Sequence, residues 1–108
     1  MEEQNLSSLI AVLQDELGLE SKKTLTYEEL LHLTAQRVNY LLENDKDLLL
    51  SYLYRLDISM KKINNVLKVQ NEVPAHESLA YLIVQRQIER IKTKQKVHVE
   101  KLGDEWSW

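Results

Sequence analysis

Cysteine and phenylalanine are absent from this chain, glycine occurs twice and proline once. Without cysteine there is no disulfide framework and no thiolate zinc site, which fits a reducing compartment. Two glycines leave little room for a glycine-rich phosphate loop. The scarcity of turn residues and the lack of period-two alternation argue against a sheet. No apolar run nears the roughly 20 residues a membrane span requires. The opening MEEQNLSS is acidic and polar, unlike a secretory leader. Fourteen basic against seventeen acidic residues give a net charge of −3. The global basic excess of a nucleic-acid binder is therefore missing, and only a local patch could serve that role. His32, His76 and His98 show no metal-ligand spacing, and no Ser/His/Asp set is singled out. These absences lead to an expectation of a cytoplasmic, non-enzymatic protein without cofactor or metal.

What is present is helical periodicity. The 108 residues suffice for one domain. Leu6, Leu9, Ile10, Leu13 and Leu17 form one stripe, with Asn5 or Ser7 as the cap and Gly18 as the stop. Thr26-Tyr27-Glu28-Glu29 is a capping box opening a second helix. Its apolar face carries Tyr27, Leu30, Leu31, Thr34, Val38, Leu41 and Leu42. Asn44 to Asp47 breaks the pattern and supplies caps. A third helix, about 47–56, is apolar nearly all round and is expected to lie buried at the centre. Ser59 caps a fourth, with Met60, Ile63, Val66 and Leu67 facing inward. The fifth runs from Pro74 to about Lys96. The chain thus predicts an all-α fold. Five helices form an orthogonal or irregular bundle in a single domain, 1–102, followed by an acidic aromatic tail, 103–108.

Four groups of residues stand out as candidate sites. On the second helix Leu33 and Tyr40 make a narrow apolar stripe away from the main face, suited to a partner or a second copy. Asp104-Glu105-Trp106-Ser107-Trp108 joins acids to Trp106 and Trp108, and tryptophans often anchor interfaces. The tail is loosely similar to the acidic, aromatic-ended tails of bacterial single-stranded-DNA-binding proteins. Arg86 to Lys96 carries five basic residues in eleven with one glutamate, a possible anion surface or a helix end matched to its macrodipole. Within it Arg86 and Arg90 lie near the apolar stripe, so one of them is expected to pair with Asp57 and orient the fifth helix.

The fourth group is the corner Leu56-Asp57-Ile58-Ser59. Over Leu48 to Leu67 it resembles a DNA-binding helix-turn-helix, whose turn often reads Leu-Gly-Ile/Val-Ser. Counted from Leu49, the apolar positions Leu56, Ile58, Ile63 and Val66 fit. Asp57 replaces the usual glycine, and Leu53 replaces the usual small residue. The resemblance implies that the fourth helix reads DNA. Asn64 and Asn65 would lie on base edges, with Lys61, Lys62 and Lys68 on phosphates. YLYRLDIS and LAYLIVQRQIERIKTKQ are similar to small uncharacterised bacterial helical proteins, which implies a bacterial cytosolic origin and no activity. The leading expectation is a protein–protein interaction or adaptor domain with an unidentified protein partner, or a homodimer. A nucleic-acid-binding regulator is the alternative.

Overall fold

The computed structural model describes the backbone of residues 3–20, 25–68 and 73–106, and the side chains of 5–20, 25–68 and 73–94. Among the described residues there are five helices: α1 (Glu3–Leu17), α2 (Tyr27–Asn44), α3 (Lys46–Arg55), α4 (Met60–Lys68) and α5 (Ala75–Trp106). The all-α, five-helix bundle agrees with the sequence. Its backbone is the α2–α5 contact, the most extensive helix pair. Helix α1 lies against both, α3 packs on α2, and α4 packs on α5. The radius of gyration is 15.6 Å and the long axis 51 Å. A compact chain of this length would have a radius near 13 Å. The 32-residue α5 accounts for the elongation, since a helix that long spans about 48 Å.

Local chemistry explains most helix ends. Thr26 and Glu29 form the reciprocal capping box: the Glu29 amide donates to Thr26 Oγ1 at 3.1 Å, and the Thr26 amide donates to Glu29 Oε1 at 2.9 Å. These bonds hold the Glu29 carboxyl below its ordinary value. Asp45 serves two helices. Its amide closes α2 on the Leu41 carbonyl at 2.8 Å, and its carboxylate accepts from the Leu48 amide at 3.2 Å to open α3. Gly18 stops α1 with φ +79°, where a Cβ would be strained.

Three boundaries differ from expectation. Helix α1 starts at Glu3, so Asn5 and Ser7 lie inside it rather than capping it; glutamate and glutamine before them are good helix formers. Pro74 precedes α5 instead of opening it, and its carbonyl accepts from the Glu77 and Ser78 amides at 3.1 and 3.2 Å. Helix α5 continues beyond Lys96 through Gly103 to Trp106. An isolated glycine weakens a helix by about 1 kcal/mol without ending it.

The core takes Leu9 and Leu13 from α1, Leu30, Val38 and Leu41 from α2, Leu49, Leu53 and Leu56 from α3 and its end, Ile63 from α4, and Leu79, Ile83 and Val84 from α5. Helix α3 is not buried all round. Leu49, Tyr52 and Leu53 are enclosed, whereas Leu48, Leu50 and Tyr54 are exposed. Ten residues packed mainly on one neighbour have an outer face whatever its composition. The same correction applies to α4: Ile63 is buried, but Met60 and Leu67 face solvent at 57% and 44%.

Candidate functional site

The α3–α4 corner is built by a Schellman motif. The Asp57 amide donates to the Tyr54 carbonyl at 3.0 Å, and the Ile58 amide to the Leu53 carbonyl at 3.3 Å. This pattern requires a left-handed residue after the helix. Asp57 adopts it, with φ 63°. Ile58 then packs inward beside Leu53, both buried. The Ser59 hydroxyl accepts from the Lys61 and Lys62 amides at 3.1 and 3.4 Å, capping α4. Lys61, Lys62, Asn64, Asn65 and Lys68 are all exposed. Helix α4 carries no acid, and its lysines join no ion pair among the described residues.

Between the two helices lies an open hollow of about 530 Å³, lined by Leu50, Ser51, Tyr54, Arg55, Met60 and Ile63. Three of these are large apolar side chains left in water, with Tyr54 79% exposed. Sequence reasoning missed this surface because it placed α3 at the centre of the bundle.

Neither Arg86 nor Arg90 pairs with Asp57. Arg86 does reach the corner, but its Nε donates to the Leu56 carbonyl at 2.7 Å, and its Nη1 meets Glu89 at 3.2 Å. The physical reason is the end of α3. Its last carbonyls lack helical partners and carry the negative pole of the helix dipole. A backbone acceptor therefore takes the place given to the carboxylate. Arg90 turns to α1, 3.8 Å from Glu16.

A polar cluster joins α1, α3 and α5 beneath Arg90. Gln87 is 1% exposed. Its Nε2 donates to Tyr52 Oη at 2.8 Å and to Glu16 Oε1 at 2.9 Å. Tyr52 Oη donates to the same glutamate oxygen at 3.2 Å, and Arg90 Nη1 donates to Gln87 Oε1 at 3.4 Å. Burial drives the Tyr52 phenol far above its ordinary value, and the Glu16 carboxylate adds to the shift. Tyr52 therefore stays a neutral donor. The sequence does hold one signal for this cluster. Gln87 falls in the core register of Ala80, Val84 and Ile91, so an amide there has to be buried. On the far side of α5, Gln85 donates to Tyr27 Oη at 2.7 Å.

The Leu33–Tyr40 stripe is divided. Leu33 packs against the core beside Gly18 and Leu19. Tyr40 is 53% exposed, with the Arg37 guanidinium 5.3 Å from its ring centre. The Trp106 side chain and the whole of Trp108 lie outside the described residues. Among those residues no group of three His, Asp or Glu side chains gathers as a metal site, and no helix is long and apolar enough to cross a membrane.

No protein family, curated protein or solved structure matches this chain. The functional reading therefore rests on its own surfaces.

Proposed function

We propose that this protein is a non-enzymatic protein-binding domain whose docking surface is the α3–α4 corner. The observation that carries the reading is the joint exposure of Leu50, Tyr54 and Met60 around one hollow. Removing a large apolar side chain from water is worth roughly 1.5–3 kcal/mol, so three together favour a partner. Arg55 at the hollow, with Lys61 and Lys62 exposed beyond it, suits an amphipathic segment with acidic flanks.

A photoreactive residue in place of Tyr54 tests this in cells. It is expected to crosslink to one discrete species and to lose that product when Met60 becomes Glu. The same probe at Tyr40 is expected to give none. Sedimentation of the pure protein tells a second copy from a different partner: a dimer abolished by Tyr54→Glu makes the occupant this chain itself. Equal crosslinking from both positions, or none from Tyr54, overturns the reading.

A second reading, nucleic-acid binding through α4, is favoured by the acid-free helix with its exposed lysines and asparagines. It predicts anisotropy changes with labelled duplex DNA that weaken steeply with salt. Those changes would vanish when Lys61, Lys62 and Lys68 are exchanged for Glu with the fold intact. No binding at low salt removes it.

A further inference from the structure

A second open groove lies between α1 and α5, away from the corner hollow, with a volume of about 450 Å³. Arg86, Arg90 and Lys94 line it at intervals of four residues along α5, opposite Val12 and Glu16 of α1. Four residues advance a helix by about 6 Å, so the three cations form a row about 12 Å long. The lining thus carries three positive charges against a single carboxylate.

The two arginines are held in place without being used up. Arg86 is anchored through Nε on the Leu56 carbonyl and spends one terminal nitrogen on Glu89. Arg90 spends one terminal nitrogen on Gln87 and Glu16, at 3.4 and 3.8 Å. Lys94 forms no ion pair among the described residues. An arginine has five N–H donors, so most of both forks remain open to a ligand. The Arg90–Glu16 pair is half-exposed. Such pairs contribute little, and an incoming anion displaces this one at small cost.

The floor of the groove is unusual for a core position. Gln87, enclosed, is tied to Tyr52 and Glu16. A buried polar network is favourable only when each member is satisfied, and it then fixes its neighbours in one arrangement. Here it holds the Arg90 side chain from below. A concave site with a few convergent polar groups has the character of a ligand site.

We propose that the α1–α5 groove binds small polyanions carrying phosphate or carboxylate groups about 6 Å apart, with Arg86, Arg90 and Lys94 as the charged contacts. Val12 and Ile91 offer an apolar wall to the body of the ligand. Gln87 is a positioning residue that acts through Arg90. Glu16 opposes the ligand and competes for Arg90. The site shares no lining residue with the corner hollow.

Calorimetric titration of the full chain with tripolyphosphate at physiological salt tests the assignment, with orthophosphate and citrate as comparison anions. Tripolyphosphate is expected to bind at one site per chain, with orthophosphate at least tenfold weaker. Citrate tells whether carboxylates serve as well as phosphates. Arg90→Gln is expected to weaken binding at least tenfold and Lys94→Gln several-fold. Glu16→Gln keeps the acceptor for Tyr52 and Gln87 while removing the competing charge, and is expected to tighten binding several-fold. The double exchange of Lys61 and Lys62 for Gln on α4 is expected to change nothing. A titration that does not saturate overturns the proposal. So does an α4 variant that weakens binding as much as Lys94→Gln, or a Glu16→Gln variant that binds less tightly. Should Arg90→Gln lose its helical circular dichroism, Lys94→Gln and Glu16→Gln decide the matter, since Lys94 is exposed and joins no ion pair among the described residues and glutamine at position 16 retains the acceptor.

Discussion

Helices α1 and α3 end in the same way by different means. After Leu17 comes Gly18 with φ +79°, and after Leu56 comes Asp57 with φ 63°. Each left-handed residue is followed by an apolar one, Leu19 or Ile58, that turns into the core. In each case an arginine from another helix caps the final leucine carbonyl through its Nε: Arg37 on Leu17 at 2.9 Å, and Arg86 on Leu56 at 2.7 Å. Gly18 adopts its conformation without strain. Asp57 adopts it against the Cβ penalty, within the tolerance aspartate has for this region. What the pair teaches is that a carboxylate beside an arginine in a corner need not be its partner. The orphan carbonyl of the helix end is the stronger claimant.

Removing the arginines breaks the comparison most severely. Arg86→Met leaves a carbonyl at a buried residue without its charged donor and is expected to cost about 1.5–3 kcal/mol. Urea unfolding should place Arg37→Met in the same range and slightly lower, given its longer bond. No loss in Arg86→Met would show that its bond to Leu56 contributes nothing. The next largest effect separates the two turns. Gly18→Ala is expected to lose about 1–2 kcal/mol, because its Cβ meets Arg37 Nη2 at 3.3 Å in addition to the unfavourable φ. The opposite exchange, Asp57→Gly, is expected to gain about 0.5–1 kcal/mol in the same assay. A loss there would mean that the Asp57 side chain has a role its geometry does not reveal.

A helix end capped wholly by its neighbours sharpens the contrast. At the start of α2, Thr26 and Glu29 need no distant arginine. The Glu29 carboxyl titrates lower in the folded chain than in the unfolded one, through its bonds with Thr26. Its contribution is therefore complete above the ordinary glutamate value, about 4.3, and is lost as pH falls through the lowered one. The effect is the smallest of the set. It is read as a slight flattening of the acid limb of the thermal midpoint against pH in Glu29→Gln. The arginine-capped ends are expected to show no such acid dependence in their own variants, since arginine does not titrate there.

Features legible in the chain were those whose cause lies within a few residues. The stripe of Leu9 and Leu13, the Thr26 box, the stop at Gly18, the capping break over Asn44 to Asp47 and the Ser59 cap all follow from neighbours in sequence. The left-handed turn at Asp57 was legible as well, because the turn residues determine it. Depth was not. Leu48, Leu50, Tyr54, Met60 and Leu67 read as core because they are apolar, and composition alone cannot say which side of a short helix finds a neighbour. The corner surface follows from that misplacement. The Glu16–Tyr52–Gln87–Arg90 cluster was only half legible: Gln87 occupies a core register, but its partners come from two other helices.

By itself the sequence determined that this is a five-helix, all-α domain, and where most of its helices start and stop. Propensity, capping and 3.6-residue periodicity act over one or two turns, and a single chain states them fully. Tertiary structure alone decided which apolar faces stay in water, which acceptor each arginine takes, and that α1 and α5 together make a cationic groove. Those outcomes depend on how whole helices lie against one another. Backbone carbonyls, present at every residue and so invisible in composition, are among the partners they choose.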